Sequence, residues 1–493
     1  MLQVVWLKRD LRLQDHLPLA RAAEQGPVLL LYVIEPQLVE DPHYSERHWR
    51  FVSESVNEIN KSLQGFGARV LCLQREVIPA LQAIHKSFGS FQLWSHQEVG
   101  LKNTYDRDLA VNDWCMAHNV IWSEVPLLGI QRGLTHRQHW YESWHEQINQ
   151  APVCLSLSNV HWYAFSNLDE SLKVDERSDK WNSPHINFQH GGESNAWHTL
   201  KSFLSGRGQN YAFNLSSPFE SMQSCSRFSP FLAWGNISSK QVFQYLEQHR
   251  SQRAWGRTIS GVQSRLQWRD HFIQKFESEH DMQFRPVNKG YEHYPYEHDA
   301  HEINRRLEAW KTGNTGFPIV DASMRALINT GYLNFRMRAM LISFLSHQLN
   351  LDWRLGAAHL ASVFLDFEPG IHYPQIQMQA GVTGINAIRL YNPVKQAMER
   401  DPEARFIQKW IPELKGLPTI LQQDPSLITD MEALMYNFSL SADYVEPVID
   451  LDQSMKAARE ILWAYQKTPK VQNEAARILS RHTIPDRARM ISG

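Results

Sequence analysis

A hydroxyl-rich segment precedes a predicted helix near the middle of the chain. It reads Ser224-Cys225-Ser226-Arg227-Phe228-Ser229-Pro230. Hydroxyls and backbone N–H groups at a helix N-terminus form a natural anion cradle, because that helix end carries partial positive charge. Serine and proline at such a place can also be ordinary helix caps. The segment therefore indicates either a phosphate-binding site or a simple helix start.

A second set of residues places charges within apolar sequence. Its members are Trp268, Arg269, Arg336, Arg338, Asp366 and Glu368. Charges of this kind are costly to bury without a partner, so mutual salt bridges would explain them structurally. The functional alternative is that the same groups contact the polar edge of a flat aromatic cofactor.

Several common nucleotide and metal motifs are missing. No G-x-G-x-x-G follows the first apolar run and no G-x-x-x-x-G-K-[ST] occurs, which disfavours nicotinamide and P-loop sites. His145-Glu146 and His301-Glu302 begin the zincin pattern, but each lacks a second histidine four residues after the first. The cysteines show no C-x-x-C spacing and are expected to be buried apolar residues. We therefore predict no metal site.

The composition indicates a globular protein without a membrane span. With 50 Lys+Arg against 52 Asp+Glu, the net charge is -2, so nucleic acid could bind only through a local basic patch. The charged N-terminal residues do not resemble a signal peptide, which predicts a cytoplasmic location. The 17 tryptophans are an excess, explained by core packing or by roles in stacking and electron transfer.

Alternating apolar runs and helical segments in the first third predict a doubly wound parallel sheet of about five strands. The predicted strands are Val4–Leu7, Val28–Ile34, Arg69–Leu73, Gln92–Ser95 and Val120–Val125. The predicted crossover helices are Leu17–Gln25, His48–Gln64, Glu76–Phe88 and Asn103–His118. Such a sheet binds ligands at the carboxyl ends of its strands.

The rest of the chain divides into a connector and a helical region. We place the α/β domain at 1–134, a surface connector at 135–204 and an all-helical domain at 205–493. Helical spacing of apolar residues predicts the following helices in the third part: Ser238–His249, Gln263–Glu279, Ala300–Lys311, Pro318–Thr330, Leu333–Leu349, Leu355–Phe367 and Ser454–Gln466.

These residues together resemble the cryptochrome/photolyase family along the whole chain. The resemblance rests on Trp6-Leu7-Lys8-Arg9-Asp10-Leu11-Arg12, the Ser224–Ser229 segment, Trp268-Arg269, Thr315-Gly316-Phe317-Pro318, Thr330-Gly331-Tyr332, Asp352-Trp353-Arg354, Arg389-Leu390-Tyr391-Asn392-Pro393 and Phe406 through Leu414. It implies an N-terminal antenna domain and a helical domain that binds FAD.

The resemblance also implies roles for individual residues. Those expected to contact FAD are Tyr211, Ser224, Cys225, Ser226, Arg227, Phe228, Ser229, Arg265, Arg269, Arg338, Asp366, Glu368 and His372, with His372 facing flavin N5. Those expected to contact damaged DNA are Trp268, Arg269, Met378 and Arg389. Trp353 matches an electron-transfer tryptophan, and Glu98 lies where relatives hold an antenna chromophore of folate or deazaflavin type. Glu98 could equally be a solvated loop residue.

Several positions depart from the family pattern. Arg265 stands where cyclobutane-dimer enzymes keep a base-contacting Glu, and Phe335, Ala339 and Met378 replace the usual Asn, Met and Trp of the lesion pocket. Ile376 replaces the first electron-transfer Trp, so Trp353 or Tyr373 would have to relay the electron. No cysteine follows Cys225, which excludes the iron–sulfur branch.

The expected function is light-driven repair of pyrimidine dimers in DNA by reduced FAD, in a monomeric lyase. The alternative is a cryptochrome-type photoreceptor that signals through flavin photoreduction to an unidentified partner. A light-independent flavoprotein oxidoreductase is a third hypothesis, disfavoured because no nicotinamide fingerprint is present. The sequence does not distinguish cyclobutane from 6-4 lesions.

Overall fold

Five short apolar segments form the parallel sheet that the sequence predicts. The computed structural model describes residues 1–173, 176–252 and 255–483. Its strands are β1 Leu2–Leu7, β2 Val28–Val33, β3 Leu71–Leu73, β4 Phe91–His96 and β5 Ile121–Val125. They are ordered β3-β2-β1-β4-β5, and every pairing is parallel. The strand order reverses between β1 and β4, which is where doubly wound sheets open a ligand crevice.

Helices cover both faces of this sheet, as expected of a doubly wound domain. They are α1 Leu17–Gln25, α2 Pro36–Val39, α3 Glu46–Leu63, α4 Val77–Phe88 and α5 Lys102–Ala117. Successive residues of β1 point to opposite faces, so Val5 packs with residues of α1 and α3 while Val4 packs with residues of α4 and α5. The predicted α/β fold class is confirmed.

The chain then becomes helical through its remaining described length. The helices are α6 Trp140–Asn149, α7 Glu193–Ser202, α8 Tyr211–Asn214, α9 Ser221–Ser224, α10 Ser229–Ala233, α11 Ser239–Glu247, α12 Gly256–Ser278, α13 Ala300–Thr312, α14 Pro318–Thr330, α15 Phe335–Ser343, α16 Trp353–Val363, α17 Pro369–Gln379, α18 Pro393–Arg400, α19 Arg405–Trp410, α20 Thr419–Gln423, α21 Asp430–Tyr436, α22 Leu451–Gln466 and α23 Pro469–His482. None of the helices in the described ranges has the length and apolar character needed to cross a bilayer.

The structure corrects three details of the sequence interpretation. Segment 135–204 contains α6 and α7, because Trp140, Trp144 and Ile148 form a buried stripe at four-residue spacing that the surrounding polar residues obscured. Helical spacing also did not predict α8, α9, α17 to α21 or α23. Cys154 is exposed, whereas the other three cysteines are buried. The boundaries 1–134, 135–204 and 205–493 remain predictions.

The sheet and the helical region share one continuous apolar core, which contains Val5 of β1 and Leu360 of α16. Arg9, just after β1, donates from Nε to the Ala233 carbonyl at 2.9 Å and from Nη2 to the Phe367 carbonyl. The guanidinium also lies 4.6 Å from the Trp234 ring. Arg9 therefore fixes the carboxyl end of β1 against both α10 and the start of α17.

His48 of α3 makes a second junction contact that ties stability to pH. Its Nδ1 accepts from the Ser45 N–H at 3.0 Å and its Nε2–H donates to the Phe364 carbonyl at 2.8 Å. Both contacts need a neutral ring, and burial lowers the pKa of His48 to about 3. The unfolded chain binds a proton below its ordinary pKa near ~6.5. The stability that His48 contributes is therefore present above that pH and lost progressively as pH falls.

We expect the free energy of unfolding to fall between pH 7.5 and pH 5.0, measured by urea titration. In His48→Gln, which cannot titrate, this fall should be smaller by about 2 kcal/mol. His301→Gln is the matched control, because His301 is exposed. In this variant the free energy of unfolding should fall as much as in wild type. An equal fall in wild type and His48→Gln would contradict the prediction.

Candidate functional site

The hydroxyl-rich segment forms a loop between two short helices. Ser224 ends α9, and its Oγ donates to the Glu220 carbonyl at 2.8 Å, so this hydroxyl is used within the helix. Arg227 has a left-handed φ of 62°, which is uncommon for a residue with a side chain. No side chain caps α10, so the serines are not helix caps, whereas Pro230 lies in the first turn of α10, as the helix-start alternative predicts. Ser226 is half-buried and Ser229 is exposed.

Two arginines hold this loop in place. Arg207 donates from Nη1 to the Gln223 carbonyl at 3.0 Å and from Nη2 to the Ser226 carbonyl at 2.8 Å. Arg227 donates to the Met222 carbonyl at 3.2 Å and lies 3.8 Å from the Tyr332 ring. Burial and the neighbouring Arg227 lower the pKa of Arg207 to about 10. Both guanidiniums therefore share a partly dehydrated site.

A third guanidinium reaches the same place from α12. Arg265 lies 5.5 Å from the ring of the buried Tyr211, and its Nη1 donates to the Gly261 carbonyl of its own helix. Burial raises the pKa of the Cys225 thiol, and the positive charges of Arg207, Arg227 and Arg265 each oppose that shift, so all three lie near this thiol. Within the described ranges, no carboxylate lies within ion-pair distance of these three arginines, which we call the cation cluster.

The cation cluster fits the pyrophosphate of FAD. Three guanidiniums without a carboxylate partner favour an anion beside them, since arginine binds phosphate oxygens. Arg207 donates its N–H groups to backbone carbonyls of the loop and of α7, so it would act on the anion through its charge. Tyr211 and the hydroxyls of Ser226 and Ser229 add neutral hydrogen-bonding groups to the same site. Ser224, Cys225 and Phe228 are buried, so we expect them to shape the loop by packing. These assignments stay predictions.

Arg338 and Asp366 form the salt bridge that the sequence suggested. Arg338 Nη2 lies 2.9 and 2.7 Å from the two carboxylate oxygens, and its Nε donates to the Leu333 carbonyl at 2.9 Å. Asp366 is 6 % exposed and Arg338 is 20 % exposed. Asp366 raises the pKa of Arg227 and Arg338 lowers it, so the pair lies near the cation cluster. A fixed cation and carboxylate can donate to and accept from the polar edge of a flavin ring.

His372 of α17 is a half-buried imidazole whose ring is held by a backbone carbonyl. Its Nε2–H donates to the Ala357 carbonyl at 2.9 Å, and burial lowers its pKa to about 3. The sequence alone left open whether this histidine titrates or is fixed by hydrogen bonds. The structure supports the fixed ring, which leaves Nδ1 as an acceptor.

We therefore expect the yield of flavin photoreduction to have the same pH profile in wild type and in His372→Asn between about pH 5.5 and 8.5. A histidine with so low a pKa does not change charge in this range. Illumination of the FAD-loaded proteins in matched buffers measures both profiles. A wild-type inflection near ~6.5 that disappears in His372→Asn would contradict the assignment.

Arg269 and Glu368 line a cavity between the sheet and the helical region. Arg269 donates to Asp270 at 2.7 Å and lies 3.7 Å from Glu368, which is 8 % exposed. The cavity has a volume of about 220 Å³ and opens at the carboxyl ends of β1 and β4. Other lining residues include Arg12, Asp15, His96, Glu98, Ser238 and Lys240. Arg269 and Glu368 thus face this cavity, and their expected contact with FAD stays a prediction.

Glu98 is held firmly at the wall of the same cavity. Arg107 donates to Glu98 at 2.6 Å and to Glu35 at 2.6 Å, and these side chains are nearly buried. The alternative that Glu98 is a solvated loop residue is therefore wrong. Burial raises the pKa of Glu35, although Arg107 opposes that shift.

A buried carboxylate and two imidazoles stand beside this cavity. Asp10 Oδ2 lies 2.6 Å from His96 Nδ1 and 2.9 Å from His16 Nε2. Burial lowers the pKa of His96 to about 4. The three side chains are close enough to hold a metal ion, which the sequence spacing did not suggest. His16 Nδ1 already accepts from the Leu19 N–H, and Asp10 already accepts from His96.

The residues expected to contact DNA are spread over two places. Trp268 is 49 % exposed and packs edge-on against His271, with the ring centroids 5.3 Å apart. Arg389 is exposed and Met378 is half-buried. Arg269 follows Trp268 in sequence, but its guanidinium lies in the interdomain cavity. Trp268 and Arg389 therefore remain the surface candidates.

The electron-transfer candidates lie together in the core. Trp353 is 1 % exposed, and its ring centroid is 6.3 Å from that of Tyr373. Ile376 is also buried, so nothing aromatic replaces the missing tryptophan at that position. Two further residues, Asp41 and His43, precede α3, and no sequence motif predicts a role for them. His43 contacts Tyr373, and Asp41 contacts His43. Tyr373 is more than three hundred residues away in the sequence, so no local motif could include it.

Comparisons with known proteins agree with this geometry. The family model described as DNA photolyase matches residues 3–126, and that for the FAD binding domain of DNA photolyase matches residues 262–464. A deoxyribodipyrimidine photo-lyase of Alkalihalophilus pseudofirmus is 26% identical, covering 93% of this chain and 97% of that protein. A cryptochrome DASH of Synechocystis is 28% identical, covering 93% of this chain and 97% of that protein.

Solved structures show the same fold. A Synechocystis cryptochrome superimposes with a TM-score of 0.82 at 24% identity, covering 94% of this chain and 99% of that chain. A Sulfolobus tokodaii photolyase, whose crystal structure contains two FAD molecules, gives a TM-score of 0.75 at 22% identity. The match covers 94% of this chain and 100% of that chain. An α/β sheet domain joined to a helical FAD-binding domain defines a two-domain flavoprotein. The chain belongs to the cryptochrome/photolyase family.

Proposed function

We propose that the protein is a light-driven DNA photolyase that repairs pyrimidine dimers with reduced FAD. The observation that carries the proposal is Trp268, a large aromatic side chain left 49 % exposed on α12, one turn from Arg265 of the cation cluster. An exposed indole can stack on a base that has been turned out of the duplex, and this contact is worth about 1–3 kcal/mol.

The chain's own residues would hold and shield the cofactor. When bound, FAD supplies the electron that opens the dimer. The cation cluster would neutralise the pyrophosphate, and the Arg338–Asp366 pair would orient the flavin ring by its polar edge. His372 contributes a neutral acceptor at Nδ1, since its Nε2–H is already donated to the Ala357 carbonyl. The Asp366 side chain is only 6 % exposed, so it would limit the access of water to this side of the ring.

The interdomain cavity is a good candidate for a second chromophore. Its wall combines the cations Arg12 and Lys240 with the carboxylates Asp15 and Glu98, at the point where the strand order reverses. The Sulfolobus tokodaii photolyase contains a second FAD, described as a light-harvesting cofactor. We expect this cavity to accept an antenna chromophore of folate or deazaflavin type.

A cryptochrome-type photoreceptor is the second candidate. It is favoured by the altered lesion pocket, in which Arg265 cannot accept hydrogen bonds from pyrimidine N–H groups. Relatives named photo-lyase and cryptochrome DASH are about equally similar to this chain. In either case the protein would act as a cytoplasmic monomer, with damaged DNA as partner in the first case and a signalling protein in the second.

Binding to DNA separates the two candidates. We expect tighter binding to duplexes with a cyclobutane or 6-4 lesion than to undamaged duplexes, with affinity falling as salt rises by a slope of about -0.9 for each phosphate neutralised. Arg389→Ala should weaken binding to both duplexes and flatten the slope by about one unit. The exposed Arg21 of α1 offers the control variant Arg21→Ala. Equal affinity for damaged and undamaged duplexes would favour the photoreceptor.

A further inference from the structure

A tyrosine of the helical region is hydrogen-bonded to a histidine of the sheet domain. The Tyr373 hydroxyl of α17 lies 2.5 Å from His43 Nε2, and His43 precedes α3. Both side chains are buried, Tyr373 to 3 % and His43 to 8 % exposure. The contact therefore crosses the junction of the two parts of the molecule and is shielded from water.

Asp41 determines which nitrogen of His43 carries the proton. Its Oδ1 lies 2.6 Å from His43 Nδ1 and accepts from the His43 backbone N–H at 2.9 Å. Asn103 donates to the other carboxylate oxygen at 2.9 Å. A carboxylate only accepts hydrogen bonds, so Nδ1 of His43 is the protonated nitrogen. Nε2 then has a free lone pair, and the Tyr373 O–H must donate to it.

Two pKa shifts are consistent with this arrangement. Burial and the neighbouring Asp41 raise the pKa of Tyr373, so the resting phenol keeps its proton. Burial opposes ionisation of Asp41, but its hydrogen bonds with His43 lower the pKa of this carboxyl overall. The hydrogen-bonded chain at rest therefore has a neutral phenol at one end and a carboxylate at the other, with His43 between them.

Aromatic rings surround this chain of hydrogen bonds. Tyr373 stacks on Phe276 with centroids 5.9 Å apart, and its centroid is 6.3 Å from that of Trp353. Next to it on α17 is His372, 5.5 Å away between centroids. His43 stacks on Phe367, which directly follows Asp366 of the pair expected to hold the flavin ring. Tyr373 thus adjoins both the candidate flavin site and Trp353.

We propose that Tyr373 donates an electron to photoexcited oxidised FAD while its phenolic proton moves to His43 Nε2. This inference rests on the proposed light-driven flavin chemistry. The O–H bond of Tyr373 breaks and an N–H bond forms on His43, which leaves a neutral phenoxyl radical, an imidazolium and a flavin with one more electron. Asp41 stabilises the imidazolium as a positioning residue. A thiolate in solution then returns an electron to Tyr373, the proton returns from His43, and paired thiyl radicals form a disulfide.

Tyr373 would take the role of the first electron-transfer tryptophan of the family, whose position is occupied here by Ile376. A phenol that loses an electron becomes a strong acid, so its oxidation is favourable when a base accepts the proton at once. Trp353 has no such base on its indole among the contacts described. Tyr373 is therefore the better immediate donor, and Trp353 can only act behind it.

The test is flash photolysis of FAD-loaded protein, with the tyrosyl radical followed by its electron paramagnetic resonance signal. We expect a tyrosyl signal in wild type and none in Tyr373→Phe. His43→Gln and Asp41→Asn should slow its formation, His43→Gln by about a hundredfold, the contribution of a positioned base. Formation in wild type should also slow in D₂O. Tyr444→Phe is the matched control, because Tyr444 is another buried tyrosine, which donates to Asp321 at 2.5 Å.

A second measurement needs no flavin. In FAD-free protein, ¹⁵N chemical shifts should show His43 protonated at Nδ1 and bare at Nε2, and Asp41→Asn should change this tautomer preference. Tyr373→Phe should shift Nε2 alone. A His43 protonated at Nε2, or a tyrosyl signal that persists in Tyr373→Phe, would overturn the proposal.

The outcomes also distinguish this inference from the proposed function. Protein that repairs DNA after chemical reduction of FAD, yet gives no tyrosyl signal from the oxidised state, would overturn the Tyr373 step alone. A tyrosyl signal without any repair would support the step and contradict the photolyase. Protein that binds no FAD would overturn both.

Discussion

Replacing Asp366 with alanine should abolish retention of FAD. The substitution leaves the Arg338 guanidinium without its carboxylate in a site where that carboxylate is 6 % exposed. Removing one member of such a pair costs about 3–5 kcal/mol, since the remaining charge is uncompensated. It also removes the hydrogen-bond acceptor expected at the polar edge of the flavin ring. Absorbance of the purified protein and chromatography of the released chromophore measure the loss.

Two further variants separate loss of cofactor from loss of folding. Asp366→Asn keeps the shape of the side chain and should fold, but bind FAD at least tenfold more weakly, because the ion pair is gone. Glu308→Ala removes the carboxylate of an exposed pair, 3.1 Å from Lys311, and should retain FAD fully. A folded Asp366→Asn that binds FAD as tightly as wild type would show that the pair lies away from the cofactor.

The second large effect is expected at Trp268. Trp268→Ala should lower affinity for a lesion-containing duplex by about 10- to 100-fold, the loss of one base-stacking contact, while undamaged DNA binds as before. Fluorescence anisotropy with both duplexes gives the ratio. FAD content should not change.

Trp463 provides the control for that substitution. It is 40 % exposed on α22, so Trp463→Ala removes a similar surface indole elsewhere. We expect this variant to keep the wild-type preference for damaged DNA. If Trp268→Ala weakens binding to damaged and undamaged duplexes equally, Trp268 is a general surface contact and not a platform for the lesion.

Much of the fold could be predicted because the strands have a strong local signal. β1 and β2 are almost wholly apolar, as expected of strands buried on both faces, and the glycine turn at Gly26 separates α1 from β2. In contrast, α6 has many polar residues between its buried tryptophans, so helical periodicity was hidden. A helix of this kind can be predicted only when the surface on which it packs is known.

The candidate site was predictable where one short segment or one pair carries it. The Ser224–Ser229 loop and the Arg338–Asp366 pair both come from recognisable residues. Arg207 could not be identified, because it donates to backbone carbonyls, which no side-chain motif records. Asp41 and His43 could not be identified either, since the role of the pair depends on the contact of His43 with Tyr373 across the domain junction.

Light-dependent repair tests the central claim most directly. Purified protein with chemically reduced FAD is incubated with oligonucleotides that carry a cyclobutane dimer or a 6-4 lesion, either under blue light or in darkness, and intact bases are counted by chromatography. The structure predicts that one lesion is restored to intact pyrimidines in the light and not in the dark, and that Asp366→Ala abolishes this restoration. Failure to restore either lesion by the FAD-loaded protein in the light would contradict the photolyase assignment.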